Sequence, residues 1–173
     1  MGNDRGDFSH PFFASRRQDR QELLEFTSQL VRLRHEHPVL RKRRFFRGDT
    51  RHAGGKDELG DVDWLTRDGK LMDEQHWQHD HARTMAVFLN GDGIAEPDPR
   101  GHPVVDDSLL VLFNGHHEQV TFNLPPETYG ERWQVLVDTA HAKVPDDLWH
   151  EAGGPVPVAP RGTVVMARPR AGG

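Results

Sequence analysis

The arrangement of apolar and polar positions divides the chain into a helical front and a β-rich remainder. From Asp19 to His37, the residues Leu23, Phe26, Leu30 and Leu33 recur at helical spacing, flanked by Leu24, Thr27 and Val31. Positions three and four apart share one side of a helix, so this run predicts an amphipathic helix with one apolar stripe. Asp19 with Glu22 three positions later has the form of an N-terminal cap, and Pro38 stops the helix after His37. Met1 to Gln18 is polar and irregular, interrupted by Phe8, Pro11, Phe12 and Phe13, and reads as a loosely held arm.

After the helix the period changes. Arg47 to Gly60 is a charged loop containing Gly48, Gly54, Gly55 and Gly60. A short apolar piece, Val62 to Leu65, precedes the turn Arg67-Asp68-Gly69-Lys70, and the polar stretch Asp73 to Arg83 predicts a short helix around Trp77. Thr84 to Leu89 reads as a strand, Asn90-Gly91-Asp92-Gly93 as a turn, and Glu96 to Asp107 as a loop with three prolines. Ser108 to Phe113 is a continuous apolar run, the pattern of a strand covered on both faces. Asn114-Gly115 then favours a tight hairpin, because both residues tolerate positive φ. The return strand, Gln119 to Leu124, alternates, with Val120, Phe122 and Leu124 on one side. Trp133 to Val137 and Gly162 to Ala167 are the remaining strands. Short strands between turns, with the long helix at the front, predict a mainly β chain built as an antiparallel sheet or small sandwich.

Composition narrows the class of partner. A net charge of -5 and a pI near 6.2 disfavour nucleic acid or an anionic membrane as the target. The basic run Arg41-Lys42-Arg43-Arg44 reads as a solvated segment just past a helix end, where cations are favoured. With no cysteine there is no disulfide, no thiolate metal site and no cysteine nucleophile. No signal core stands at the front and no run approaches a membrane span, so the expectation is a soluble, cytoplasmic protein.

The candidate chemistry is sparse. Glycoside hydrolysis needs two carboxylates across the scissile bond. The acids here fall in loops (Asp57, Glu58, Asp61 and Asp63; Asp92, Glu96 and Asp98; Asp106 and Asp107), and nothing in the sequence sets a facing pair. Among twelve histidines, His76, His79 and His81 are close in sequence, and His116-His117 sits at the predicted hairpin tip, where adjacent side chains diverge. Neither group has the pattern of a zinc site, so no metal and no cofactor are expected. Ser9, Ser15, Ser28 and Ser108 include no nucleophile elbow. Gly91-Asp92-Gly93 is not followed by a helix and so is no phosphate loop. No catalytic residue is therefore assigned. Of four tryptophans, Trp133 lies on a strand, whereas Trp64, Trp77 and Trp149 lie in or beside polar loops. Those three are the candidate carbohydrate-binding residues, since an indole offers a sugar an apolar face. Burial against a neighbouring domain is the competing account and the favoured one, because tryptophan is highly buried on average.

Several ordered blocks resemble a known family. Gln21-Glu22-Leu23-Leu24-Glu25-Phe26-Thr27, Leu33-Arg34 and His37-Pro38-Val39-Leu40 look like the last barrel helix of bacterial isoamylase-type glycogen debranching enzymes. Arg44-Phe45-Phe46, Asp63-Trp64-Leu65, Asp68-Gly69 and Met72 look like that family's passage to its C-terminal domain. Val87-Phe88-Leu89-Asn90-Gly91, Asp106-Asp107-Ser108 through Leu112, Asn114 to Glu118 and Leu124-Pro125 look like the start of that domain. The resemblance runs from about Asp19 to the end. It implies an α-amylase-superfamily enzyme cleaving α-1,6 branches of glycogen, with an N-terminal β domain, a (β/α)8 barrel and a C-terminal β-sandwich. It also implies a retaining mechanism with an aspartate nucleophile, a glutamate acid/base and a second aspartate. No position of this sequence matches those three residues.

The expectation is thus a C-terminal fragment of a debranching α-1,6-glucosidase, non-catalytic and bracing the barrel. It divides into an irregular arm (1–18), a remnant of the last barrel helix (19–40), a loop-rich connection (41–83) and a C-terminal β-sandwich (84–173). Met1 to Gln18 does not resemble the barrel strand that precedes this helix in the family, which fits a truncated gene, a split reading frame or a displaced start. Contact with α-glucan would come only through a parent or partner barrel. With the barrel absent, Leu23, Phe26, Leu30 and Leu33 would drive self-association. The alternatives are a free-standing α-glucan-binding module and a subunit that docks on a separate barrel protein.

Overall fold

The computed structural model describes residues 11–42, 59–78, 83–94, 97–141 and 143–170. The chain divides after Glu36 into two compact units. The first contains α1, Pro11–Glu36. The helix thus begins eight residues before the expected cap at Asp19, and the arm predicted over 1–18 is helical from Pro11 onward. Proline is well suited to a first helical turn, where its missing N–H has no intrahelical acceptor, and the stretch from Phe12 to Gln18 contains no breaker. Asp19 is then interior, with no free helix end for it to cap. At the other end, Pro38 terminates α1 as expected.

The second unit is a lopsided antiparallel sandwich. Its strands are β1 (Val62–Leu65), β2 (Thr84–Leu89), β3 (Ser108–Asn114), β4 (Val120–Asn123), β5 (Arg132–Asp138), β6 (Trp149–Glu151), β7 (Pro155–Val158) and β8 (Thr163–Arg168), with a short helix α2 at Glu74–Gln78. Six strands form one sheet in the order β1-β2-β3-β8-β5-β6, and β4 and β7 form the other. The β unit therefore takes in β1 and the segment His37–Arg41, which the sequence assigned to the connection and to the helix remnant. Pro38–Arg41 is a 3-10 turn, and Val39 within it is 1% exposed. Of the predicted connection, residues 43–58 and 79–82 lie outside the described residues.

The predicted hairpin after Asn114 does not form. β3 already has β2 on one edge and β8 on the other, so no edge is free for β4. Asn114 is buried instead of turning through positive φ. Its Nδ2 lies 2.9–3.1 Å from the carbonyls of Glu118, Val158 and Ala159, and its Oδ1 accepts from His116 N at 2.9 Å. These bonds carry the chain across to the second sheet, where β4 pairs with β7. Pro155 and Pro157 are tolerated in β7 because a two-stranded sheet leaves the other side of each strand unpaired.

The main core lies between the sheets. Phe122, Val156 and Val158 of the small sheet meet Phe88, Leu110, Leu112, Trp133 and Met166 of the large one. Phe88 sits edge-on to both Tyr129 and Trp133, at centroid distances of 5.0 and 6.3 Å. The outer face of the large sheet is also apolar. Directly opposed residues form one row of Val62, Leu89, Leu109 and Ala167, and a second of Trp64, Val87, Val111 and Val165. Val39, Leu40 and Ile94 pack with the first row. The second is less covered, and Met85 stands beyond it opposite Phe113, which is 40% exposed.

Candidate functional site

Separated sequence blocks converge where β2 and β3 are joined. Val39 N donates to Asp106 Oδ2 at 2.9 Å, and His37 Nδ1 lies 3.0 Å from Asp106 Oδ1. Asp106 N donates to Gly91 O at 3.1 Å, and Gly91 N to Ser108 Oγ at 3.1 Å. Gly91 is required by packing: a Cβ there would stand 2.1 Å from the Asp106 carbonyl oxygen. Ser108, which is fully buried, also accepts from Arg168 Nη2 at 2.7 Å, and Arg168 reaches Asp92 at 3.2 Å. The His37-Pro38-Val39, Asn90-Gly91 and Asp106-Asp107-Ser108 blocks are thus one hydrogen-bonded junction that closes the sheet.

The other acids are similarly engaged. Asp63 is on β1 rather than in a loop, 2% exposed, and accepts from the Tyr129 hydroxyl at 3.1 Å. Asp61 lies 3.7 Å from Lys42 Nζ. Asp98 folds its own loop by accepting from Arg100 N and His102 N, and these N–H donors, His102 first, hold its carboxyl below the ordinary value. Asp57, Glu58 and Glu96 are outside the described residues.

Of the histidines, His79 and His81 lie outside the described residues, and His76 pairs with Asp73 at 2.6 Å. His116 and His117 do not diverge as expected. Without the hairpin their rings stack, 4.3 Å between centroids at 27°, and with Glu118 their ligand atoms lie within 4.8 Å of one another. His116 Nδ1 accepts from Glu118 N at 3.2 Å, which places the proton of the neutral ring on Nε2. Ser28 donates to Leu24 O at 2.7 Å on α1.

The tryptophans separate into three situations. Trp133 is fully buried. Trp149 is the first residue of β6, beside the loop that precedes it, and the Arg132 guanidinium sits over its ring at 5.0 Å. Arg132 is tied in turn to Glu151 at 3.3 Å, so one face of Trp149 is already taken. Trp64 on β1 and Trp77 on α2 are brought together edge-to-face, with centroids 5.3 Å apart and planes at 76°. They remain 40% and 51% exposed. Sequence spacing did not reveal this contact, because the two indoles lie on different elements, β1 and α2, and the turn between them decides whether they meet. Among the described residues, no helix is long and apolar enough to cross a membrane.

A family described as "Isoamylase, C-terminal" matches residues 61–167. The "Glycogen operon protein GlgX homolog" of Mycobacterium bovis is 43% identical over 118 residues, 68% of this chain and 16% of that protein. The isoamylase of Pseudomonas amyloderamosa is 24% identical over 121 residues, 70% of this chain and 13% of that protein. A solved structure of pullulanase type I from Bacillus subtilis, complexed with maltose, shares the fold with a TM-score of 0.54 and 18% identity, over 90% of this chain and 17% of that one. The chain spans about one-sixth of the length of the curated mycobacterial relative. With the matched segment covering more than half of it, this chain belongs to the isoamylase C-terminal domain family.

Proposed function

We propose that the chain is the C-terminal portion of a cytoplasmic glycogen-debranching α-1,6-glucosidase, carrying no catalytic residue and bracing the catalytic barrel. The observation that carries this reading is the outer face of the large sheet. An antiparallel sheet with one solvated face alternates apolar and polar residues, whereas β2, β3 and β8 are apolar on both sides. A face on which Phe113 is 40% exposed and Met85, Val111 and Val165 are only half-buried is the kind that a partner covers. The acids described here hold the fold together, and an α-1,6-glucosidase that retains configuration needs two carboxylates about 5–5.5 Å apart across the bond. The barrel would supply them.

In the same reading the apolar stripe of α1 belongs against the barrel. In the isolated chain it associates with a second copy through Leu23, Phe26, Leu30 and Leu33. The purified chain is expected to release no linear chains from glycogen or pullulan. Added to a debranching catalytic region that lacks its own C-terminal portion, it should raise that region's melting temperature, and Phe113→Asp should abolish the rise. Debranching by the chain alone, lost on mutating one of its acids, would overturn the non-catalytic reading. Failure of any catalytic region to gain stability would overturn the bracing role.

A second reading, a module that contacts α-glucan itself or docks on a separate barrel protein, is favoured by the exposed Trp64–Trp77 pair.

A further inference from the structure

We propose that Trp64 and Trp77 form a contact site for an α-linked glucan chain, and that Trp149, the third candidate, takes no part in it. The ligand class rests on the debranching reading above, while the site itself rests on geometry. Two half-exposed indoles in contact are held by their backbones. Trp64 is paired with Val87 across the sheet, and its carbonyl accepts from Met72 N at 2.8 Å. Trp77 is on α2, whose first turn is held by His76 N donating to Asp73 Oδ1 at 3.0 Å. The backbones that carry the two indoles are therefore fixed before a ligand arrives, which removes part of the entropy that binding otherwise costs.

The angle between the rings selects the shape of ligand. Coplanar indoles suit a flat β-linked chain, whose successive rings lie close to one plane. Successive α-1,4-linked glucosyl rings are turned relative to one another, and indole planes at 76° are turned in the same manner, so the exposed parts of the two rings suit consecutive residues of such a chain. Each indole has an N–H donor, and the exposed amides of Gln75 and Gln78, which flank Trp77 on α2, both donate and accept. β1 is the end strand of the large sheet, so the corner stands at the rim of the apolar outer face rather than at its centre. Trp149 lacks this freedom because Arg132 lies over its ring.

The test is titration of the full chain with maltoheptaose, followed by tryptophan fluorescence and by calorimetry, with cellohexaose as the flat-chain control. Saturable binding of maltoheptaose is expected, weakened about tenfold or more by Trp64→Ala or Trp77→Ala and changed less than about twofold by Trp149→Ala. Trp77→Phe should retain most of the affinity, since it keeps an aromatic face. Circular dichroism checks that each variant is folded. No saturable binding by the folded chain, or equal loss in Trp149→Ala, would overturn the site. Equal affinity for cellohexaose would overturn the assignment to α-glucan. If Trp64→Ala leaves maltoheptaose binding intact but prevents stabilisation of a catalytic region, the pair is a protein contact and the proposal fails. Debranching by the chain is measured separately, so loss of this site and loss of the non-catalytic reading are distinguishable.

Discussion

α1 and the β unit obey their hydrophobic periods equally well, yet only one of them buries what its period sets aside. In the β unit the alternation of β5 places Trp133 and Val135 in the core at 0% and 4% exposure. In α1 the stripe is regular, but Leu23 and Val31 are both 65% exposed, and no side chain described in the helix is buried. Burying four such side chains is worth ~6–12 kcal/mol by transfer estimates. Periodicity therefore reports which way a side chain is meant to face, and says nothing about whether the partner is present. The large sheet repeats this contrast on a smaller scale. Its inner face is closed by β4 and β7, whereas among the described residues its outer face is covered where Val39, Leu40 and Ile94 lie on it.

The widest separation between the two regions should come from matched truncations. Trp133→Ala or Phe88→Ala should destabilise the β unit by about 3–5 kcal/mol in chemical denaturation, because each leaves a cavity between the sheets. Leu23→Ala should change the stability of the β unit by no more than about 0.5 kcal/mol, since Leu23 is 65% exposed and belongs to the other unit. Equal losses at the two sites would show that the helix has a home within the folded chain.

Next in size are changes at the junction of the β unit. Gly91→Ala should cost about 1–3 kcal/mol, since its methyl would be forced onto the Asp106 carbonyl oxygen and the backbone must move. Asp106→Ala should cost about 1–3 kcal/mol by leaving the buried Val39 N–H without its acceptor. If both are neutral, His37–Arg41 is not an integral part of the β unit.

The proposed self-association offers a test with little effect on the fold. Sedimentation of the purified chain should show a concentration-dependent oligomer, and Leu23→Glu with Leu30→Glu should return it to monomer without changing the unfolding of the β unit. A chain that is monomeric at all concentrations, with amides of Leu23 to Leu33 as protected from exchange as those of Leu109 to Phe113, would break the contrast.

The smallest expected effect is electrostatic. The backbone N–H of His76 holds the Asp73 carboxyl below its ordinary value, assisted by the His76 ring. A depressed carboxylate stabilises the folded state above its unfolded pKa, and that contribution is lost as the pH falls through the folded value. NMR titration should therefore find Asp73 below the ordinary aspartate range. His76→Ala should retain most of the shift, because the leading donor is the backbone. A shift that vanishes with the ring would reverse the order of causes.

Sequence by itself determined the elements and their inward faces. β1, β2, β3, β5 and β8, the short helix around Trp77, the turn at Gly69 and the stop at Pro38 all follow from local period and from residues that restrict the backbone. The resemblance blocks were likewise legible, because runs such as Asn90-Gly91 and Asp106-Asp107-Ser108 are short and contiguous. What the tertiary structure alone decided depends on contacts far apart in the chain. β8 pairs with β3 and β5, and it is this pairing that denies β4 an edge and turns an expected hairpin into a second sheet. β6 and β7, three and four residues long with two prolines within β7, lack enough period to be read locally. The use of Val39 as a plug, the burial of Asp63 and Asp106 and the meeting of Trp64 with Trp77 were equally invisible. Local sequence encodes the direction of a side chain relative to its own backbone, and which surface that side chain then meets is set only when distant strands pack.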